Sequence, residues 1–138
     1  LARQHRLPQA IRSFIAEHHG TTMVKYFYHK ARTENPGVDD TKYRYPGPLP
    51  QTRESAIVML ADAVESAARS MRDAGWDRIQ ETIVSLMNER MQEGQLDECA
   101  LTVAQVRQMQ GLFLHALKSL YHERVQYPRQ PKPDEVAE

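Results

Sequence analysis

Two adjacent imidazoles, His18 and His19, are the side chains here best suited to chemistry. Neutral imidazole is the commonest protein ligand for transition metals. The pair stands in Glu17-His18-His19-Gly20-Thr21-Thr22, where spacing predicts the end of one amphipathic helix and the start of the next. Leu7, Ile11, Phe14 and Ile15 recur at helical intervals, the pattern of an inward stripe. His18 follows Phe14 by one helical turn and His19 follows Ile15 in the same way, so both rings extend the apolar face. Gly20 suits a helix end, and Thr21 or Thr22 can cap the next helix. An inward imidazole needs a partner, because burying an unpaired polar group is costly. Two kinds of partner stay open: a metal ion, or the backbone carbonyls of an ordinary helix junction. The sequence has no His pair one helical turn apart that would decide it.

Asp62 is the second such residue. It stands inside Ala56-Ile57-Val58-Met59-Leu60-Ala61-Asp62-Ala63-Val64, an otherwise apolar run. A carboxylate there must be paired, hydrogen-bonded or bound to metal. Yet Asp62 shares a face with Ser55, Glu65 and Arg69, which equally describes a wet face with Glu65 and Arg69 paired along the helix. Lys25 follows the His pair closely and could meet a phosphate there, or be an ordinary solvated lysine. Arg44, in a Pro-Gly loop, has the same two readings. His29 reads as an interface or surface residue, His115 and His122 read as surface residues, and His5 is uninformative. No Gly-rich phosphate loop, nucleophile elbow or Cys-rich zinc pattern is present.

The elements that must position these residues are helical. Pro8 suits a first turn, and a helix is expected from there to about His18. A second runs from about Thr22 to Arg32, with Met23, Val24, Phe27 and Ala31 inward. Glu34 to Pro50 is a loop, because Asn35-Pro36-Gly37 and Tyr45-Pro46-Gly47-Pro48 are turn chemistry. Its length and its Tyr43 and Tyr45 favour an ordered cover. A third helix starts at Thr52, a plausible cap with Glu54 in the first turn, and buries Ala56, Leu60, Ala63, Val64, Ala67 and Met71. Trp76 to Gln92 is the fourth, with Trp76, Ile79, Ile83, Leu86 and Met87 inward and Gly94 as its stop. Thr102 and Gln105 form a capping box flanked by Leu101 and Val106. It opens a fifth helix to about Arg124, lined by Val106, Met109, Phe113, Leu117, Leu120 and Tyr121. Pro128, Pro131 and Pro133 with charged neighbours read as a disordered tail. Nothing alternates with period two, so the fold class is all-α.

Bulk properties exclude several functions. With 138 residues the chain is the size of one domain, and 41% hydrophobic content can supply a core. Lys plus Arg equal Asp plus Glu at 18 each, so there is no net field for nucleic acid or an anionic membrane. No apolar run approaches the ~18 residues that span a bilayer. Cys99 is the only cysteine, so no internal disulfide can form, which fits a reducing compartment.

Several motifs together carry a resemblance. Glu17-His18-His19-Gly20-Thr21-Thr22, Val24-Lys25-Tyr26-Phe27-Tyr28-His29-Lys30, Tyr43-Arg44-Tyr45-Pro46-Gly47-Pro48 and Ile57-Val58-Met59-Leu60-Ala61-Asp62 resemble the HD-domain phosphohydrolases. So do Glu93-Gly94-Gln95-Leu96-Asp97-Glu98-Cys99 with Leu101-Thr102, and Tyr121-His122-Glu123-Arg124. The likeness is to the cytoplasmic catalytic domain of the seven-transmembrane HD proteins, the PgpH-type cyclic di-AMP phosphodiesterases.

The resemblance implies an HD-like bundle of about five helices with a two-metal site holding iron or manganese. His18 and His19 match the paired histidine ligands, and Asp62 the late aspartate ligand. It implies hydrolysis of cyclic di-AMP to the linear dinucleotide, with Lys25 and Arg44 as phosphate contacts, in a parent protein that is membrane-anchored. One departure stands out: the family's earlier histidine, its His-Asp pair and a further histidine have no counterpart, and the sequence holds no His-Asp dipeptide. Residues 1–126 therefore resemble the C-terminal part of the domain, and 127–138 form the tail. Leu1 to Leu7 reads as the continuation of something earlier. Apolar faces are then expected to be exposed, for covering by the remainder of the domain or by a homodimer. The other function class is a non-catalytic helical interaction or regulatory module.

Overall fold

The computed structural model describes residues 1–71 and 73–122. Five α-helices follow in order: α1 (Gln9–Glu17), α2 (Lys25–Glu34), α3 (Arg53–Ser70), α4 (Trp76–Gln92) and α5 (Val103–His122). A 3-10 turn, Asp40–Tyr43, interrupts the connection between α2 and α3. Among the described residues there is no strand, only one antiparallel bridge between Met23 and Arg44. The all-α expectation holds. The expected disordered tail and the end of α5 near Arg124 lie outside the described residues.

The helix starts follow from local chemistry. Thr52 and Ser55 cap α3 reciprocally: Ser55 N–H donates to Thr52 Oγ1 at 3.1 Å, and Thr52 N–H donates to Ser55 Oγ at 3.2 Å. Ser55 is therefore buried, not on the wet face assigned to it. At α5, Gln105 N–H donates to Thr102 Oγ1 at 3.2 Å, and Thr102 N–H to Gln105 Oε1 at 2.9 Å. Gly94, at φ +68°, lets the chain leave α4 in a left-handed turn.

The hydrophobic core joins α3, α4 and α5. Met59, Leu60, Val64, Ile83, Met87 and Val106 are among its most buried members. The buried members of this core all lie between Ala56 and Leu117, among those described. The expected inward stripe of α1 is different. Leu7, Ile11 and Ile15 are exposed, Ile15 at 52%, because only the Phe14 side of α1 turns toward its neighbours. Phe27 on α2 and Leu120 on α5 are also corrected from inward to exposed. On α3, Ala63 and Ala67 are only half-buried, since they face a cleft and not the core. Exposed apolar faces are thus present, as the resemblance implied.

Candidate metal centre

The His pair lies just beyond the last residue of α1, in a tight exit turn. Gly20 N–H donates to Glu17 O at 2.9 Å and Thr22 N–H to His19 O at 3.1 Å. Thr22 Oγ1 also donates to His19 O, at 2.8 Å. That bond spends the hydroxyl on closing the turn, so Thr22 does not cap α2, which starts three residues later without a side-chain cap. Gly20 has φ +52°, and a Cβ there would come within 2.5 Å of Gln95 Oε1. Only glycine lets the turn pass this close to its neighbour.

Two acceptors hold the turn in place. Buried Glu17 accepts from Gln51 N–H at 3.0 Å, and buried Gln95 accepts from Thr21 N–H at 3.0 Å. The loop after α2 closes over the other side. Val24 N–H donates to Tyr43 O at 2.7 Å and Tyr45 N–H to Thr22 O at 3.0 Å. The loop is thus the ordered cover expected from its tyrosines. Tyr45 stacks on the His19 ring at 4.2 Å between centroids, and His19 lies 4.0 Å from His18.

The two imidazoles are held differently. His18 Nδ1 meets the carbonyls of Phe14 at 2.9 Å and Ile15 at 3.1 Å. A ring donating through Nδ1 keeps Nε2 as a lone-pair nitrogen. The helix-junction role and the ligand role are therefore compatible in one ring. His19 Nδ1 faces Asp62 Oδ2 at 4.0 Å, beyond hydrogen-bonding distance. Burial, then the neighbouring His18, push the His19 imidazole below its ordinary pKa; Asp62 pulls against them, and Arg90 adds to the lowering. The ring therefore stays neutral, the form that binds metals, to lower pH than usual.

These groups line one cleft of about 690 Å³ between α3, α4 and the start of α2. Asp62 is half-exposed, yet its exposed face opens into this cleft. The Glu65–Arg69 pair expected beside it forms at 3.6 Å. Lys25 also lines the cleft, ion-paired with Glu89. Arg44 does not line it: its guanidinium bonds Asp40 Oδ2 at 2.9 Å and Thr21 O at 3.4 Å, fastening the covering loop. His115 is exposed as expected, His5 and His29 are exposed too, and the side chain of His122 lies outside the described residues.

Sequence reasoning missed Arg90 and Gln95. Arg90 lines the cleft, its side chain 14% exposed and its Nη1 3.0 Å from Glu93 Oε2. On a helical wheel it is one more basic residue near a C-terminus, and only its tertiary place distinguishes it. In kind, two imidazoles and a carboxylate fit a transition-metal ion, and His19 with Asp62 fit in place. Among the described residues, however, no group of three or more His, Cys, Asp or Glu side chains gathers round one point. The chain presents a partial donor set.

No protein-family model matches the chain. It is 39% identical over 128 residues to the cyclic-di-AMP phosphodiesterase PgpH of Listeria monocytogenes, covering 93% of this chain and 18% of that protein. It is 34% identical over 132 residues to PgpH of Bacillus subtilis, covering 96% of this chain and 19% of that protein. The chain thus spans about a fifth of the length of these relatives. Its fold matches the L. monocytogenes PgpH HD domain solved in complex with cyclic-di-AMP, with a TM-score of 0.84 and 38% identity. That match covers 87% of this chain and 56% of the solved domain.

Proposed function

We propose that this chain, a homologue of the HD domain of the PgpH phosphodiesterases, carries part of a metal-dependent site that opens cyclic di-AMP to its linear dinucleotide. One observation carries the reading: His19 and Asp62, distant in sequence, face each other in a single cleft next to His18. The relative whose fold matches most of the chain holds cyclic-di-AMP in its solved HD domain. HD-domain phosphodiesterases are metal-dependent, and the ligand types here suit iron or manganese. Two such ions would supply an activated water and neutralise charge on the phosphoryl oxygens.

The chain's own residues have separate parts. His18, anchored through Nδ1, offers Nε2. His19 is kept neutral and braced by the Tyr45 ring. Asp62 offers a carboxylate from the opposite wall. Lys25 supplies a positive charge at the cleft for a phosphate, while Arg44 secures the cover. The solved domain extends beyond the region matched here, and the remaining ligands belong to that part of the domain in this reading. The parent is membrane-anchored outside this domain in this reading; among the described residues no helix is long and apolar enough to cross a membrane.

The test is hydrolysis of cyclic di-AMP by the purified intact domain, with the remaining ligands included, in added Mn²⁺. The expected result is linear product from the wild type and none from His19→Ala or Asp62→Ala, with helical circular dichroism unchanged. Undiminished activity in either variant contradicts the assignment. The absence of a three-donor group among the described residues favours a second reading, a non-catalytic nucleotide-binding or interaction module. Calorimetric heat with cyclic di-AMP, without product and without metal dependence, would select it.

A further inference from the structure

The segment Glu93-Gly94-Gln95-Leu96-Asp97-Glu98 has no chemical part in the proposed reaction, yet its polar side chains reach into the site's supports. Glu93 holds Arg90 at 3.0 Å. Glu98 accepts from the Gln51 amide, whose own backbone N–H is held by Glu17. Gln95 is the centre of the set. It is 1% exposed, a polar side chain almost fully withdrawn from water. Its Oε1 accepts from Thr21 N–H at 3.0 Å and from Thr21 Oγ1 at 3.4 Å. Its Nε2 donates to Thr21 Oγ1 at 3.0 Å and, at 3.5 Å, to Glu93 O.

A buried primary amide is an expensive way to fill space, since each unmet donor or acceptor costs free energy. An apolar side chain would fill the same volume. What the amide adds is register: acceptor and donor meet one residue's N–H and hydroxyl, two positions after His19. Gly20, between them, passes so close that a Cβ there would press on Gln95 Oε1 at 2.5 Å. The exit turn therefore has little freedom to rotate once Gln95 is paired.

We propose that Gln95 is a positioning residue for the metal centre: by pairing with Thr21 it fixes the turn that aims His19 at Asp62. This rests on the proposed metal site of His18, His19 and Asp62. Residues that orient a ligand without touching the metal typically change its affinity about 10–100-fold when removed.

The experiment is calorimetric titration of the metal-free purified protein with Mn²⁺, beside thermal unfolding. Gln95→Leu keeps the bulk and removes both partners of Thr21. Its Mn²⁺ dissociation constant is expected to rise about tenfold, even where unfolding shows the protein folded at the titration temperature. Gln95→Glu keeps the acceptor for Thr21 N–H and is expected to recover most of the affinity. A merely structural role would lower the unfolding temperature and leave the affinity of folded molecules unchanged, and that result overturns the proposal. If Gln95→Leu does not fold, Thr21→Val decides: weakened Mn²⁺ binding supports the proposal, and wild-type binding overturns it. A wild-type protein that binds no Mn²⁺ fails at the metal-site reading, and the role of Gln95 falls with it. Wild-type binding with unaffected variants removes only the role of Gln95.

Discussion

Two regions of this molecule are held together by different forces. The α3–α4–α5 region is an ordinary dry core: Leu60 and Met87 are fully buried, and Ile79, Ile83 and Leu117 nearly so. The region before it, α1 with its exit turn, α2 and the covering loop, contributes no residue to that core, and Pro50 at the loop's end is its one fully buried apolar side chain among the described residues. Its buried polar side chains are Glu17 and Thr22, and it is fastened by Gln51 to Glu17, Gln95 to Thr21 and Tyr45 to Thr22. The region built on directional bonds carries the candidate chemistry. Burial stabilises in proportion to area and without direction. Hydrogen bonds contribute less net free energy, but they specify angles. A site that must aim His19 at Asp62 needs the second kind of support.

The contrast can be broken most directly at the core. Met87→Ala is expected to cost about 2–5 kcal/mol, read by denaturant unfolding, while the geometry of the site survives in those molecules that remain folded. A loss below about 1 kcal/mol would mean that the buried cluster is not the main source of stability. Next comes Gly20→Ala. A left-handed L-residue costs roughly 1–2 kcal/mol, and here the added Cβ also meets Gln95 Oε1 and Met59 Cε, at 2.5 and 2.7 Å. Unfolding should shift moderately, whereas metal binding should fall much further. Equal effects on both would erase the distinction between the regions. Glu17→Leu strands the Gln51 N–H and is expected to cost about 1–3 kcal/mol, visible as lower thermal stability with loosened amide exchange around Gln51. Ile15→Ala is the smallest: at 52% exposure it should stay within about 0.5 kcal/mol. A large loss in solution would show that this face is covered, and a concentration-dependent unfolding temperature would identify a second copy as the cover.

The same division governs what could be read from sequence. Trp76 to Gln92 was legible to the residue, and both capping motifs at α3 and α5 were where Thr52 and Thr102 put them. Those signals are local, and the helices they open pack on one another. The stripe on α1 was legible as a pattern but not as burial, because periodicity says that Leu7, Ile11 and Ile15 share a face without saying what covers it. Thr22 illustrates a different failure. Its type suits a cap, yet the exit turn uses its hydroxyl. Within the candidate site, His18, His19 and Asp62 were singled out through their types and through resemblance, and the structure brings His19 and Asp62 across from one another. Arg90 and Gln95 were not found, since their parts depend on contacts with the distant His turn and cleft.

Metal content tests the central claim most directly. The purified protein, analysed by elemental mass spectrometry beside its His18→Ala, His19→Ala and Asp62→Ala variants, is predicted to carry iron or manganese that each substitution depletes while the fold persists. Metal at the wild-type level in all three variants would contradict the account, for it would mean that the turn and the cleft it faces hold no ion.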